Sequence, residues 1–227
     1  MDIYGEALTD FYTHSATDTL WINTSYGEPE EMPADIFFRD EDEMPELELI
    51  ALKQCKGKVL DIGAGAGSHS LLLQNRKINI SALEISAGAC KIMKDRGVIN
   101  VINDDIFLYK EKKFDTLLLL MNGIGLCGNL EGFENFLNHA KILLNPGGCI
   151  VFDSSDISYL YEDNSIQSKG YYGEVKFQYE YKGKKGDWFN WVYIDPVTMG
   201  SVAKKFSWNL ELLYQDDHDQ YLGKLYL

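Results

Sequence analysis

The sequence is short of positive charge. Lys and Arg total 21 against 35 Asp and Glu, a formal net charge of −14 over 227 residues. A general nucleic-acid binder needs a basic footprint and an anionic membrane surface attracts one, so both partners are disfavoured. Cysteine is scarce as well. Cys55, Cys90, Cys127 and Cys149 are widely spaced and form no CxxC pair, which leaves no support for a metal site or a dithiol redox motif. Each reads as a small buried apolar residue. Long hydrophobic runs are missing: the longest, Leu117 to Met121, is far too short to span a bilayer. The opening "MDIYGEALTD" is acidic and has no basic segment leading into an apolar stretch, so it does not read as a signal peptide. These absences together lead to an expectation of a cytoplasmic protein that acts on a small molecule, as a monomer or a homodimer.

What is present alternates. Residues 3 to 12 put Ile3, Tyr4, Ala7, Leu8, Phe11 and Tyr12 on one helical face. A loop rich in Pro, Glu and Asp follows, roughly over residues 22–45, and Pro45 opens a helix at "ELELIALKQC" that Gly57 ends. From Lys58 onward strand and helix take turns: "KVLDIG", then "SHSLLLQN"; "INISALEI", then "SAGACKIMKDRG" with a Ser N-cap; "VINVINDDIF"; and "FDTLLLLM", then "LEGFENFLNHAKILL", stopped by "NPGG" before "CIVFDSSD". Such alternation implies a parallel, doubly wound sheet covered on both faces. After residue 157 the period changes. "EVKFQYEYK" alternates, "GKKG" turns, and "DWFNWVYID" returns as an antiparallel hairpin. Asp195 and Pro196 then read as N-cap and first residue of a helix, and "NLELLYQDD" with "QYLGKLYL" forms a terminal hairpin.

In "KVLDIGAGAGSHS", Gly63, Gly65 and Gly67 stand at alternate positions directly after the first strand of the series. Glycines there permit a tight turn and remove the Cβ atoms that would block a ligand, while the next helix offers free backbone N–H groups. Room for a nucleotide-like ligand is the reading. About twenty residues on, such a ligand calls for an acid at the tip of the second strand. Glu84 in "SALEIS" stands there, able to accept two hydrogen bonds from a ribose diol. "INDDIF" ends the third strand with Asn103, Asp104 and Asp105, and "LLLMNGIG" ends the fourth with Asn122 and Gly123. Either Asp104 or Asp105 can receive an adenine amine.

These motifs resemble those of the class I S-adenosylmethionine-dependent methyltransferases. "VLDIGAGAG", "LEIS", "NDDIF", "FDTLLLLMNGIG" and "LLNPGGCIVFD" follow in the family's order over roughly residues 56–156. The glycine spacing is GxGxG rather than GxGxxG, since position 68 is Ser68, and Asp61 lies two residues before the first glycine. Both features separate the chain from NAD-linked oxidoreductases. The Asn/Asp-Pro-Pro-aromatic motif of DNA-adenine enzymes is absent at 122–125, as is the Pro-Cys pair of cytosine C5 enzymes.

The resemblance implies a mostly parallel seven-stranded sheet with an antiparallel last strand. To this an N-terminal helical cap (1–55), a core (56–156), an inserted β-hairpin (157–196) and a terminal helix and hairpin (197–227) would contribute. It implies S-adenosylmethionine as cofactor and methyl transfer to N or O of a small molecule, with a non-catalytic binder of the same cofactor as the alternative and an NAD-linked oxidoreductase as a less favoured one. Asp61, Gly63, Ala64 and Gly65 would surround the methionine portion and Glu84 the ribose. Ile85, Asp104, Asp105 and Ile106 would surround the adenine, and Asn122 would face the methionine end.

The family has no universal catalytic residue, because the cofactor carries the reactive methyl. His69, Asp153 and Asp156 stand as candidates for proton transfer or substrate contact, each with a plainer reading as a second-layer or capping residue. His14, near the N-terminal helix, reads as surface. Arg39, one of three arginines with Arg76 and Arg96, can clamp a carboxylate of cofactor or substrate, or pair locally with Asp40 or Glu41. The aromatic hairpin, with Trp188, Val192 and Ile194 opposite Phe189, Trp191 and Tyr193, is a wall of the substrate site, a dimer surface, or packing against the N-terminal helix.

Overall fold

The computed structural model describes residues 1–14, 18–161 and 170–227. Helix α1 (Ile3–His14) comes first, followed by strands β1 (Leu20–Thr24) and β2 (Glu30–Met32). Short 3-10 turns at Ala34–Phe37 and Glu41–Glu43 lead to α2 (Glu46–Gln54). Then come β3 (Lys58–Ile62), α3 (Ser68–Asn75), β4 (Asn79–Glu84), α4 (Ala87–Asp95), β5 (Val101–Asn103), β6 (Phe114–Leu119), α5 (Leu130–Leu143) and β7 (Leu144–Ser155). The remainder is β8 (Glu174–Tyr181), β9 (Lys184–Lys185), β10 (Phe189–Val192), α6 (Pro196–Lys205), β11 (Asn209–Gln215) and β12 (Gln220–Tyr226).

Seven strands form the main sheet in the order β11-β12-β7-β6-β3-β4-β5. β3 pairs in parallel with both β4 and β6, while β12 runs antiparallel to β7. Chain order reverses between β3 and β6, so the crevice of this sheet opens above the carboxyl ends of those two strands. The continuously apolar β6 is explained by its two coverings. Leu117 and Leu119 point into a core shared with Phe133, Phe136 and Leu137 of α5 and Met199 and Ala203 of α6. Leu118 faces the opposite core, with Leu47, Ala51 and Leu52 of α2 and Leu73 of α3. Each such fully buried side chain contributes about 1.5–3 kcal/mol of apolar burial.

Local signals place several element ends. The Ser86 hydroxyl accepts from Ala89 N to cap α4, and Asp195 accepts from Val197 N and Thr198 N to cap α6 ahead of Pro196. Three expectations are corrected. The third strand stops at Asn103, because the Asp105 carboxylate accepts from Phe107 N and turns the chain. "NPGG" does not end the helix as a loop. It sits inside β7, where the pairing with β6 shifts register between Phe114 and Thr116, and Gly147 takes φ +77°. The hairpin turns one step earlier than "GKKG", so that Lys184 and Lys185 pair back onto Tyr181 and Glu180.

The largest correction concerns residues 22–45 and the hairpin. They are not a loop and an isolated insertion. β1 pairs antiparallel with β8, Ile22 opposite Tyr179 and Thr24 opposite Phe177, and β2 extends the edge. A second, five-stranded sheet results, in the order β10-β8-β1-β2 with β9 on β8. A two-stranded hairpin is marginal in water, and the added strands supply what it lacks. The part of the expected 157–196 insertion at 162–169 lies outside the described residues.

α1 lies against α4. A Cβ on Gly88 would reach within 2.8 Å of Gly5 Cα, so the backbones meet directly. Asp2 closes the contact: its carboxylate accepts from Gly5 N at 2.9 Å, the Ser86 hydroxyl at 2.8 Å and Gly88 N at 3.0 Å. Asp2→Ala removes all three acceptor contacts and should cost about 1–2 kcal/mol. The loss should fall on α1, read as faster amide exchange at Ala7 and Leu8 with little change in β6. Uniform acceleration across the main sheet would refute a local role.

Candidate active site

The glycine turn is fastened to the neighbouring strand. Gly63 N and Ala64 N both donate to Leu83 O, at 2.9 and 3.2 Å. Gly63 has φ +71°, and a Cβ built on it meets nothing within 4 Å, so this position opens onto the crevice. Gly65, at φ +55°, is shielded: a Cβ there would lie 2.9 Å from the Tyr4 hydroxyl. Gly67 is the N-cap of α3 and lies close against Met93. Ala64 is packed with Ala82, Cys90 and Met93.

Glu84 ends β4 with its side chain buried. Oε2 accepts from Gly65 N at 3.0 Å and Oε1 from Ser86 N at 2.9 Å. Burial raises its pKa, and the backbone N–H groups pull it back. The two carboxylate oxygens together can accept about four hydrogen bonds, more than the backbone donors around them supply. Beside it Ile85 is 71% exposed, an apolar surface at the rim of the crevice. Asn103 Nδ2 donates to both Glu84 O and Ile85 O and pins this strand end. Asp104 Oδ1 accepts from Asp105 N and Asp105 Oδ1 from Phe107 N. Both aspartates are half-buried and keep a second oxygen apart from those contacts. Ile106 is buried in the α5-side core with Leu83 and Phe133.

At the end of β6 the chain takes two successive left-handed residues, Met121 (φ +62°) and Asn122 (φ +55°). Asn122 N donates to Asp153 Oδ2 at 3.0 Å, and Asn122 Oδ1 accepts from the Ser155 hydroxyl. Asp153, 1% exposed, also accepts from Gln220 Nε2 on Oδ2 at 3.0 Å. Its Oδ1 is buried and has no partner among the described residues. Burial pushes its pKa up to about 6, helped by the charge of Glu48 and opposed by the Asn122, Gly123 and Gln220 donors. Asp156 is occupied locally, accepting from Ser158 N and the Tyr172 hydroxyl.

Behind the turn lies a buried charged group. Glu48 of α2 accepts from Arg39 Nη2 on Oε1 at 2.6 Å and contacts His69 Nε2 through Oε2 at 2.7 Å. Asp61 accepts from the Ser70 hydroxyl at 2.7 Å, and burial raises its pKa. Burial pulls the pKa of His69 down, but the Glu48 hydrogen bond and the charges of Asp61 and Glu48 carry it upward overall. The expected local pair of Arg39 is corrected: Nη2 pairs with Glu48 rather than with Asp40 or Glu41, and Nε is buried with no partner among the described residues. Glu41 pairs instead with Arg76, and Glu43 accepts from Asp40 N.

Aromatic contacts the sequence did not place there cover the turn. The Tyr4 ring meets Phe37 edge-on at 5.2 Å and stacks on Tyr179 at 5.5 Å, which places α1 and β8 over the glycine turn. The Trp191 indole occupies the space a Cβ on Gly125 would need, which brings β10 down onto the segment after Asn122. The helical face at residues 3–12 marked Tyr4 as packed, but nothing local marked its neighbour as the turn. His14 is exposed, as expected.

A doubly wound sheet with an antiparallel β12, an opening above Gly63 and a buried acid at the next strand end defines a nucleoside-cofactor domain of the methyltransferase type. No family model matches the sequence, and neither does any curated protein. Among solved structures, a SAM-dependent methyltransferase from Bacteroides fragilis in complex with S-adenosyl-L-homocysteine is 39% identical. The match covers 100% of this chain and 94% of that one, with a TM-score of 0.93. An S-adenosylmethionine-dependent methyltransferase from Clostridium acetobutylicum shares the fold at 13% identity, covering 82% of this chain and 93% of that one, with a TM-score of 0.61. A sugar N-methyltransferase from Streptoalloteichus sp. does so at 13% identity, covering 87% and 94%, with a TM-score of 0.56. The chain belongs to the S-adenosylmethionine-dependent methyltransferases, and the oxidoreductase reading falls away.

Asp153 gives a pH-dependent prediction. Its folded pKa of about 6 lies above the unfolded value of about 3.9. The folded chain therefore holds this proton more tightly. The stability so contributed is complete below about pH 4 and is lost as pH rises through about 6. Asp153→Asn abolishes the dependence. The unfolding free energy of the variant minus that of the native protein should thus rise by up to about 3 kcal/mol between pH 4 and 7.5. Urea denaturation measures it, and a difference flat with pH would contradict the burial of the charged carboxylate.

Proposed function

We propose that the chain transfers a methyl group from S-adenosylmethionine to an N or O atom of a small molecule held between the end of β6 and the five-stranded sheet. The cofactor would supply an electrophilic methyl on a sulfonium. The protein's part is to hold it, to align an acceptor and to exclude water. Glu84 is suited to the ribose hydroxyls through its remaining lone pairs, and the space above Gly63 leaves room for the ligand backbone to approach closely. Ile85 offers its exposed side chain to the adenine, with Asp104 or Asp105 at the amine. Asn122, held by Asp153 and Ser155, stands at the methionine end.

The observation that carries the reading is the buried Glu84 carboxylate at the end of β4, bound to the glycine turn through Gly65 N beside the reversal point of the sheet. A small acceptor is favoured over a polymer by the roof, since Tyr4 of α1 and Tyr179 of β8 stack over the turn, and by the net charge of −14. Among the described residues no helix is long and apolar enough to cross a membrane.

Glu84→Ala should weaken S-adenosylmethionine binding more than tenfold in calorimetry, given about 1.5–3 kcal/mol for hydrogen bonds to a charged group. A thermal midpoint taken alongside separates loss of the site from loss of the fold. Unchanged affinity would refute the ribose role. Release of S-adenosylhomocysteine across a metabolite panel tests turnover.

A further inference from the structure

Two of the three arginines are matched by acids, Arg39 by Glu48 and Arg76 by Glu41. The third, Arg96, is the C-cap residue of α4 and forms no ion pair among the described residues. Its guanidinium donates to Ala66 O from Nη1 at 2.7 Å, and from both Nη1 and Nη2 to the Ser68 hydroxyl at 3.3 Å. Longer contacts reach Phe37 O at 3.4 Å and Phe38 O at 3.5 Å, and the Phe38 ring centre lies 5.0 Å from the guanidinium carbon. The Ser68 hydroxyl in turn donates to Phe37 O at 2.9 Å. Ala66 is 1% exposed, and among the described residues its carbonyl accepts from no other group.

We propose that Arg96 is a positioning residue for the cofactor: it fixes the peptide between Ala66 and Gly67 in the glycine turn and holds Phe37 over Gly65. The inference rests on the reading of this turn as the cofactor's seat. A peptide unit is planar, with its C=O and N–H opposed. Holding Ala66 O on the guanidinium therefore aims Gly67 N the other way, across the turn, where it donates to Ala64 O at 2.9 Å. Gly67 then stands at φ +86° as the N-cap of α3. The same side chain sets what covers the turn. Phe37 Cδ1 would stand 3.4 Å from a Cβ on Gly65, and the Phe37 ring meets Tyr4 edge-on at 5.2 Å. Turn and cover are thus gripped by one guanidinium, with the Ser68 hydroxyl between them. A guanidinium suits the task because its N–H donors, fixed in one plane, reach several acceptors at once, whereas an ammonium is a single compact charge. Gln74 supplies the comparison. It too joins α3 to the segment after α4, donating to Gly97 O and accepting from Ile99 N, both at 3.0 Å. Neither bond involves the turn.

Calorimetric titration of S-adenosylhomocysteine, well below each variant's thermal midpoint, reads the folded protein alone. Arg96→Ala should weaken binding about tenfold, the size expected when a buried carbonyl loses its donor. Millimolar ethylguanidinium should restore most of the loss, and ethylammonium at the same concentration should not. Gln74→Ala should bind within about twofold of the native protein even where its midpoint falls. Native affinity in Arg96→Ala, equal weakening by Gln74→Ala, or no restoration by ethylguanidinium overturns the positioning role and leaves Arg96 a strut of the fold only. Should Arg96→Ala not fold, Ser68→Ala decides instead: weakening of about threefold is expected, and unchanged affinity overturns the proposal. Glu84→Ala, run alongside, keeps the two readings apart. Weakening there with none in the Arg96 and Ser68 variants removes only the role of Arg96. Failure of the native protein to bind S-adenosylhomocysteine overturns the reading beneath, and the role of Arg96 with it.

Discussion

The hydrogen bonds between the glycine turn and the end of β4 set the position of everything above them. Leu83 O takes two consecutive N–H groups from the turn, and the next residue, Glu84, takes a third from Gly65 through its side chain. Backbone and side chain of one strand end thus grip the turn at three points. The consequence is mutual. The turn cannot shift without leaving Leu83 O unmatched, and Glu84 cannot swing out without stranding the Gly65 and Ser86 N–H groups. A buried polar group without its partner costs about 1–3 kcal/mol. Glu84, the acid proposed for the ribose, is thereby held in place before any ligand arrives, which would spare the ordering cost at binding.

The parts of this arrangement that depend on near neighbours in sequence were legible. Ser86 before a helical run, Asp195 before Pro196, and an unbroken apolar β6 each announce their element through local chemistry. Gly63 and Glu84 were found because the turn and the acid sit at a fixed distance along a strand–helix–strand unit. What was not legible depends on distant partners. β1 carries "LWINT" with no turn chemistry to flag it, and its strand character comes from β8, where Trp21 lies opposite Glu180. Arg39 has acids at the next two positions, yet it pairs with Glu48, nine residues on. That choice is set by how α2 docks beside α3, which no local pattern encodes.

The buried charges behind the turn divide into two kinds, and the division separates scaffold from site. Glu48 has a partner on each oxygen, and Asp61 has the Ser70 hydroxyl. Charges matched in this way can be buried at tolerable cost, and removing one partner is what destabilises. They join α2 and α3 to the 34–39 segment and to the end of β3. His69 belongs to this group, since its proton is held by the carboxylate it stabilises. Asp153 is of the other kind. One of its oxygens is fully engaged and the other has nothing, in a place closed to water.

A fold selected only for stability would replace such a carboxylate with an amide or an apolar residue. Its retention next to the two left-handed residues that end β6 has a physical counterpart: Oδ2 holds Asn122 N, so the same side chain shapes the strand end and leaves an acceptor beside it. The small sheet completes the logic. Phe177 and Trp191 belong to the core of the five-stranded sheet, and the Trp191 indole also packs on Gly125, just after Asn122. Tyr4 stacks on Tyr179 and carries α1 on the same surface. The helix over the glycine turn and the rings of the small sheet are therefore one packed unit. A change in how α1 seats on Gly88 must be felt, through Tyr4 and Tyr179, at Phe189 and the rings packed on it.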